Sequence, residues 1–313
     1  MEFTNTQIQQ FTVGALTITE DENGYSFGRF TADQRAAFGA VFDKWAERSD
    51  FTSGIHIDFH TDATNLQVVV AAEGTYEVLI DDLGSYCELL SKNDVINLDL
   101  DGADHRITIL LPYHAPGKIR AVTLNGESYV QPHSYKKKIA FYGDSITQGS
   151  FASRSSQTYS WLLTRYFDLH SMNFGVGGIR FQPESVIDVG YDPDVVIISL
   201  GTNNFGSNKP AELLHTNCPA FFDNISALYP NSKIVCITPI WRADGEELRA
   251  VGTIHDTRAY IQAEAEKRNF IVVDGFKLVP HRIEYFEDLR LHPNDIGFAF
   301  YAQNLIKAIG QYF

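Results

Sequence analysis

Residues 138–147 read KIAFYGDSIT, a short apolar run that ends in a glycine and leads into a serine. The run does not alternate strictly between polar and apolar residues, which is typical of a strand buried on both faces of a parallel sheet. Similar runs follow it, and segments with helical periodicity lie between them. The further runs cover residues 171–176, 194–201, 233–240 and 270–276, and the helical segments cover residues 159–169, 211–228, 246–268 and 294–309. Five strands interleaved with helices predict a doubly wound α/β sheet.

The first part of the chain has a different pattern. Its strand-like runs are joined by turn-rich pieces and cover residues 66–72, 75–81, 95–101 and 105–113. Short strands linked by turns predict a mostly antiparallel β-sandwich of jelly-roll type. One helix is expected within it, over residues 33–48, and contains Trp45. Residues 126–138 are polar and contain Pro132, so we place the boundary there, between a sandwich at 1–134 and an α/β domain at 135–313.

Reactive and hydrogen-bonding groups stand at the ends of the predicted strands, where doubly wound sheets form their sites. Ser145 follows the first strand, the glycine-rich segment 175–178 the second and the amide-rich segment 201–204 the third, while His292 precedes the last helix. Each feature alone has a structural explanation, because serines and glycines are common in turns. Together they supply a nucleophile, a base and donors for a developing negative charge, which is what acyl transfer needs.

Four segments carry a resemblance to a known family. GDSIT at 143–147, NFGVGG at 173–178, GTNN at 201–204 and DLRLHPND at 288–295 resemble, in this order, the four conserved blocks of the SGNH (GDSL-like) hydrolase superfamily. The resemblance covers residues 137–313. It implies a flavodoxin-like three-layer fold and a serine esterase that uses neither a metal nor another cofactor.

The same resemblance implies roles for individual residues. Ser145 takes the position of the nucleophile and His292 that of the general base. The backbone N–H groups of Ser145 and Gly178 and the side chain of Asn203 take the positions of the oxyanion hole.

One position departs from the family pattern and leaves the third catalytic residue open. The family usually has an aspartate three residues before the histidine, where this chain has Leu289, and Asp288 lies four residues before His292. Either the loop contains an extra residue and Asp288 orients the imidazole, or the enzyme uses a Ser–His dyad and Asp288 is a solvated acid. We expect Asp288 to be the orienting acid, because a carboxylate that fixes the imidazole contributes heavily to such centres.

The order of the domains implies a substrate class, again by resemblance. A β-sandwich before an SGNH domain is similar to the family-2 carbohydrate esterases, which remove acetyl groups from sugars. The resemblance implies a short-chain acyl ester, in particular an acetylated sugar, that is cleaved through an acyl-enzyme on Ser145. Trp241 and Arg242 follow the fourth strand, so we expect both to contact the substrate. For Trp241, packing at the strand end is the alternative.

Other functions stay open at this point. A lysophospholipase or thioesterase would use the same residues on longer acyl chains. A transferase would share the acyl-enzyme and pass the acyl group to another acceptor. A carbohydrate-binding protein would retain an inactive hydrolase domain.

The composition limits the partners and the location. The net charge is −14, from 39 acidic and 25 basic residues, which disfavours nucleic acids and anionic membranes as partners. No run reaches the length of about 18 apolar residues that spans a bilayer, and the N-terminus lacks a signal-peptide pattern. The three cysteines predict neither a disulfide framework nor a zinc site. We therefore expect a cytoplasmic protein without a metal site, and a homo-oligomer is compatible with the sequence.

Overall fold

The N-terminal strands form two antiparallel sheets in a computed structural model that describes all 313 residues. In chain order the strands are β1 (Thr12–Val13), β2 (Thr17–Asp21), β3 (Gly24–Gly28), β4 (His56–Thr61), β5 (Asn65–Val70), β6 (Gly74–Ile80), β7 (Leu83–Leu90), β8 (Val95–Asp99), β9 (His105–Leu110), β10 (Lys118–Leu124) and β11 (Val130–Pro132). One sheet has the order β1-β4-β9-β6-β7 with β11 beside β4, and the other has the order β2-β3-β10-β5-β8.

The two sheets share one apolar core. Ile57, Phe59 and Ile107 from the first sheet and Val68 and Val122 from the second belong to a single cluster of 22 buried residues. Side chains alternate between the two faces of a strand, so each sheet contributes one apolar face to this core. The antiparallel sandwich that the sequence predicts is thereby confirmed.

The prediction of a single helix over residues 33–48 is wrong, because the segment forms two helices. Helix α1 (Asn5–Phe11) precedes the sandwich, and α2 (Ala32–Val41) and α3 (Asp43–Ser49) are inserted in it. The break falls at Phe42, whose backbone is extended with φ −164° and ψ 116°. Asp43 then stands in the first turn of α3, where a carboxylate is favoured by the helix dipole.

The C-terminal strands form the predicted parallel sheet. They are β12 (Lys137–Gly143), β13 (Leu169–Gly175), β14 (Val195–Ser199), β15 (Lys233–Ile237) and β16 (Ile271–Val273), in the order β13-β12-β14-β15-β16. The strand order reverses at β12, which confirms the doubly wound α/β fold and sets the position where a site is expected. The last sandwich strand ends at Pro132 and the first parallel strand begins at Lys137, and a domain boundary after residue 134 stays a prediction.

Helices cover both faces of this sheet. They are α4 (Ser145–Gln148), α5 (Tyr159–Phe167), α6 (Thr202–Gly206), α7 (Ala211–Leu228), α8 (Ile254–Glu266) and α9 (Asp295–Ile309). Ile139 and Phe141 of β12 pack with α5 and α9, and Ala140 and Tyr142 pack with α7 and α8. Helices α2 and α3 join this second face, because Phe38 and Trp45 belong to the same buried cluster. No helix combines the length and the apolar character that crossing a membrane requires.

The helix predicted over residues 246–268 starts later than expected, at Ile254. Thr253 is its N-cap, and the Thr253 and Asp256 side chains accept hydrogen bonds from each other's backbone N–H groups. Gly252 has φ +82°, a left-handed conformation that a helix cannot continue through. The capping box therefore fixes the start of the helix.

Candidate active site

The nucleophile candidate stands on a tight turn between a strand and a helix. Strand β12 ends at Gly143 and helix α4 begins at Ser145. A Cβ atom on Gly143 would lie 1.9 Å from the Thr147 hydroxyl, so only glycine lets α4 fold back so closely on the strand. The buried Asp144 side chain caps α4 by accepting a hydrogen bond from the Ile146 N–H (3.0 Å). Burial raises the pKa of Asp144 to about 7.

The structure brings Ser145, His292 and Asp288 into one hydrogen-bonded chain. Ser145 Oγ lies 2.9 Å from His292 Nε2, and His292 Nδ1 lies 2.7 Å from Asp288 Oδ2. Both distances are within normal hydrogen-bond range. The order hydroxyl, imidazole, carboxylate is the arrangement in which the imidazole can accept the serine proton.

The conformation of the loop before His292 brings Asp288 to the imidazole. Leu289 is exposed and has φ +53°, a left-handed conformation. Asp288 Oδ1 accepts hydrogen bonds from the N–H groups of Arg290 (3.0 Å), Leu291 (2.7 Å) and His292 (3.0 Å). These bonds fold the loop around the carboxylate, so Asp288 reaches the imidazole from four residues away.

The electrostatics of the pair suit a base at neutral pH. Burial lowers the pKa of His292 below its usual value, although the Asp288 carboxylate opposes the shift. Burial acts to raise the pKa of Asp288, but the hydrogen bonds from Leu291 and His292 outweigh it and lower the pKa to about 2. At pH 7 Asp288 is therefore ionised and His292 is neutral, with Nε2 able to accept a proton.

The three candidate oxyanion donors line the same cavity as the serine. The backbone N–H groups of Ser145 and Gly178 donate to no protein acceptor. Gly178 has φ +82°, so its position favours glycine. The Asn203 side-chain amide donates to the Ile179 carbonyl (3.0 Å), which leaves its second hydrogen free.

The cavity is small, and few of the residues that line it are apolar. Its volume is about 300 Å³, and only three of its 14 lining residues, Phe51, Phe151 and Leu291, are apolar. The ring of Phe151 stacks on the His292 imidazole with 4.6 Å between centroids. Phe151 has φ +72°, a strained conformation of the kind found near active sites.

The two predicted substrate-contacting residues have different positions. Trp241 does not line the cavity, and its ring packs on His281 and Phe286 at centroid distances of 5.7 and 5.3 Å. We therefore assign Trp241 a packing role in place of the predicted substrate contact. Arg242 does line the cavity, but its guanidinium is buried and donates to Asp244 (2.5 and 2.8 Å) and to the Thr202 carbonyl (3.0 Å).

The sequence analysis missed the contribution of the N-terminal part. Arg48 at the end of α3 and Phe51 just after it line the cavity. Arg48 Nη1 donates to the Gly177 carbonyl (2.6 Å), and the Gly177 N–H donates to Gln148 Oε1 (2.6 Å). No motif surrounds Arg48 in the sequence, so no sequence signal could have found it. No group of three or more His, Cys, Asp or Glu side chains is arranged to hold a metal ion.

Several solved structures share the fold of this chain. The fold is similar to that of the salicylyl-acyltransferase SsfX3 from a tetracycline biosynthetic pathway (20% identity, 96% of this chain and 94% of that chain covered, TM-score 0.85). It is also similar to a family two carbohydrate esterase from Cellvibrio japonicus (15%, 98% and 96%, TM-score 0.72). A third similar structure is the acetyl xylan esterase Est2A from Butyrivibrio proteoclasticus (14%, 100% and 98%, TM-score 0.62). At these identities the likenesses show the fold.

The family itself is shown by sequence. No curated protein matches the chain. The family model of the GDSL-like lipase/acylhydrolase family matches residues 141–300, which is just over half of the 313 residues. The match begins within β12 and ends within α9, so it includes every candidate catalytic and oxyanion residue described above. The chain belongs to the GDSL-like lipase/acylhydrolase family of ester hydrolases.

Proposed function

We propose that this protein hydrolyses short-chain acyl esters, in particular acetyl esters on carbohydrate, through an acyl-enzyme on Ser145. The observation that carries the proposal is the continuous hydrogen-bonded chain from Ser145 through His292 to Asp288. Ser145 and His292 line a cavity in which two backbone N–H groups, those of Ser145 and Gly178, donate to no protein acceptor. These are the groups that acyl transfer requires.

In the first half of the reaction, His292 Nε2 takes the proton from Ser145 Oγ, which forms a bond to the ester carbonyl carbon. The carbonyl oxygen becomes an oxyanion that accepts hydrogen bonds from the N–H groups of Ser145 and Gly178 and from Asn203. The carbon–oxygen bond to the alcohol then breaks, and the alcohol leaves with the proton from His292. Asp288 stabilises the transient imidazolium without taking its proton.

In the second half, a water molecule attacks the acyl-enzyme and gives a proton to His292. The bond between the acyl carbon and Ser145 Oγ breaks, Oγ takes the proton back, and the free acid leaves. Since Asp288 holds the imidazole in one orientation throughout, the same nitrogen serves both halves.

The lining of the cavity supports a short acyl group. Only three apolar residues, Phe51, Phe151 and Leu291, line its volume of about 300 Å³, so a long acyl chain would contact polar groups. The polar remainder suits an alcohol that is rich in hydroxyls, as a sugar is. Two of the structurally similar proteins are carbohydrate esterases, which supports the same substrate class.

The test compares nitrophenyl acetate, butyrate and octanoate with an acetylated xylo-oligosaccharide, for the wild-type protein and for Ser145→Ala. We expect the highest kcat/KM on acetate, release of acetate from the oligosaccharide, and loss of both activities in the variant. Preference for octanoate would instead indicate a lipid esterase or thioesterase. A fully active Ser145→Ala protein would contradict the acyl-enzyme.

A transferase is the second candidate, because the fold is similar to that of a salicylyl-acyltransferase. A transferase would share every step up to the acyl-enzyme and replace water by another nucleophile. Adding sugar acceptors to the nitrophenyl acetate reaction distinguishes the two. Acylated acceptor formed faster than free acetate would favour transfer, and free acetate alone favours hydrolysis.

A further inference from the structure

We propose that the catalytic cavity accepts esters that carry a carboxylate, and that Arg48 binds this carboxylate beside the reacting carbonyl. The inference rests on the proposed function and narrows it, because on a carbohydrate the carboxylate belongs to an acidic sugar. The carboxylate could also stand on the acyl group, and the experiment below separates these two sources.

The charge of the cavity lining is opposite to that of the molecule. The chain carries a net charge of −14, yet the residues that line the cavity and are charged at pH 7 are three arginines, namely Arg48, Arg242 and Arg290. No aspartate, glutamate or lysine lines it. A small cavity lined by charges of one sign concentrates a ligand of the opposite sign.

Two of these arginines share one internal carboxylate. Arg242 Nε lies 2.5 Å from Asp244 Oδ1, and Arg290 Nη1 lies 3.5 Å from Asp244 Oδ2. Arg249 also contacts Asp244, at 2.9 Å. The Arg242 guanidinium is therefore already paired with a carboxylate of the protein. The half-exposed Arg290 is paired with the same carboxylate only at a longer distance.

Arg48 differs from both because no carboxylate lies within 4.0 Å of its guanidinium. Its single side-chain hydrogen bond runs from Nη1 to the Gly177 carbonyl (2.6 Å). Nε and Nη2 donate to no protein atom and are not buried. A guanidinium with two free donor positions matches a carboxylate, which arginine binds through paired hydrogen bonds.

Arg48 is also held in place before a ligand arrives. Its own carbonyl accepts hydrogen bonds from Gln148 Nε2 (3.0 Å) and from Arg29 Nη2 (3.3 Å). Trp45, one turn earlier in α3, is 1% exposed and anchors the helix in the core. Such anchoring lowers the entropy lost on binding.

The position of Arg48 relates the carboxylate to the reaction. A Cβ atom on Gly178 would lie 2.9 Å from Arg48 Nη1, so the guanidinium borders the turn that presents the Gly178 N–H. A ligand whose ester carbonyl points at that N–H would place a nearby carboxylate beside Arg48. The carboxylate is therefore expected within a few bonds of the ester.

The test measures kcat/KM on two pairs of esters, each with one charged and one neutral member. The pair 4-acetoxybenzoate and methyl 4-acetoxybenzoate has the carboxylate on the alcohol side. The pair 4-nitrophenyl hydrogen succinate and 4-nitrophenyl butyrate has it on the acyl side. We expect the wild-type protein to prefer the charged member of one pair, and the pair that shows the preference identifies the source.

The variant Arg48→Gln should lower the charged-to-neutral ratio of kcat/KM in that pair roughly 10- to 100-fold, as expected for a lost hydrogen bond to a charged group. Arg48→Lys should retain part of the ratio. Arg120→Gln is the matched control, because Arg120 is exposed on β10, donates to Asn93 (3.0 Å) and does not line the cavity. It should leave the ratio unchanged.

Two outcomes would overturn the inference. One is a wild-type protein without preference for either charged ester. The other is an equal loss on charged and neutral esters in Arg48→Gln, which would mean that Arg48 acts only by holding the Gly177 carbonyl. Salt gives a check that needs no variant. Because about 0.5 M salt screens exposed charges, it should lower kcat/KM on the charged esters and leave kcat/KM on the neutral esters unchanged. Absence of Ser145-dependent hydrolysis on all four esters would instead contradict the proposed function.

Discussion

We expect Asp288 to control which nitrogen of His292 carries the proton. With Asp288 Oδ2 at 2.7 Å from Nδ1, the hydrogen belongs on Nδ1, and Nε2 is left to accept from Ser145. Asp288→Asn retains Oδ1 and its three backbone hydrogen bonds, but an amide N–H facing Nδ1 favours the opposite tautomer. We expect kcat to fall by up to about 10⁴, the loss known for the equivalent change in a serine protease.

The matched control for this change is Glu287→Gln, which removes the neighbouring, exposed acid. Its kcat on nitrophenyl acetate should equal that of the wild-type protein. If Asp288→Asn also retained the wild-type kcat, the centre would be a Ser–His dyad and the carboxylate would only shape the loop.

We expect the protonation of His292 to set the acid limb of the pH profile of kcat/KM. Its pKa lies below the usual 6.5 because of burial, and only the neutral imidazole accepts the serine proton. As the pH falls through this pKa, the imidazole becomes protonated and kcat/KM should be lost. Asp288 has a pKa of about 2, so it stays ionised over the whole range. A pH profile on neutral nitrophenyl acetate checks this, and a midpoint above 6.5 would contradict it.

We propose Asn203, which lines the cavity, as the side-chain donor of the oxyanion hole. Asn203→Ala should lower kcat by about 10²–10³, as loss of one such donor does in other enzymes, with a smaller effect on KM. Asn224→Ala is a close control, because both amides donate to a loop carbonyl at 3.0 Å and Asn224 lies on α7 outside the cavity lining. Equal kcat values for the two variants would remove Asn203 from the oxyanion hole.

At the scale of elements, the strands of the parallel sheet could be predicted because both faces are buried. Their apolar runs need no alternation, and all five were expected within a few residues of their observed bounds. Strands β3 and β10 were not predicted, although Phe27 and Val122 belong to the core of the sandwich. Strands β2 and β7 were missed because they are mostly exposed. β2 reads TITED and is mostly exposed, and β7 is exposed along most of its length, so neither carries an apolar pattern.

The break between α2 and α3 could not be predicted from local pattern. Residues 33–48 have helical composition throughout, and the extended backbone at Phe42 follows from packing α2 and α3 on the parallel-sheet domain. The same packing brings Arg48 to the catalytic cavity. Ser145, Gly178, Asn203 and His292 could be placed in advance, because the carboxyl ends of parallel strands meet at one edge. Arg48 could not be placed in advance, because it contacts Gly177, which lies 129 residues away in the sequence.

At the scale of the whole molecule, Arg29 ties the N-terminal part to the catalytic turn. It is fully buried, and its guanidinium donates to the carbonyls of Phe51 (2.6 Å), Asn173 (2.6 Å), Gly175 (2.9 Å) and Arg48 (3.3 Å). Burial lowers the pKa of Arg29 to about 9, so it remains charged at neutral pH. The four carbonyls belong to the segment that ends α3 and to the end of β13, which leads into the Gly177–Gly178 turn.

Replacing Arg29 by Met should lower the free energy of unfolding by roughly 3 kcal/mol or more, because buried carbonyls lose a charged donor. Urea unfolding measures the change. The exposed Arg120→Met serves as control and should stay within about 0.5 kcal/mol of the wild-type protein. A comparably small effect of Arg29→Met would mean that the carbonyls find other donors and that the contact does not couple the two parts.

A second polar contact between the sandwich and the catalytic part involves Arg106 of β9. Its guanidinium donates to the buried Asp58 (3.0 and 2.6 Å) and to Asp168 (2.8 Å), which follows α5. His133 Nε2 lies 2.9 Å from Asp168 Oδ1. Arg29 and Arg106 thus join the two parts through charged hydrogen bonds at separate places, which explains how an N-terminal arginine can hold a fixed position in the catalytic cavity.

The identity of the nucleophile is tested most directly by covalent labelling. A fluorophosphonate reacts with an activated serine, and the mass of the intact protein reports the number of adducts. We predict one adduct on the wild-type protein, located at Ser145 by peptide mapping, and none on Ser145→Ala. An adduct at another residue, or equal labelling of the two proteins, would contradict the assignment of Ser145 as the nucleophile.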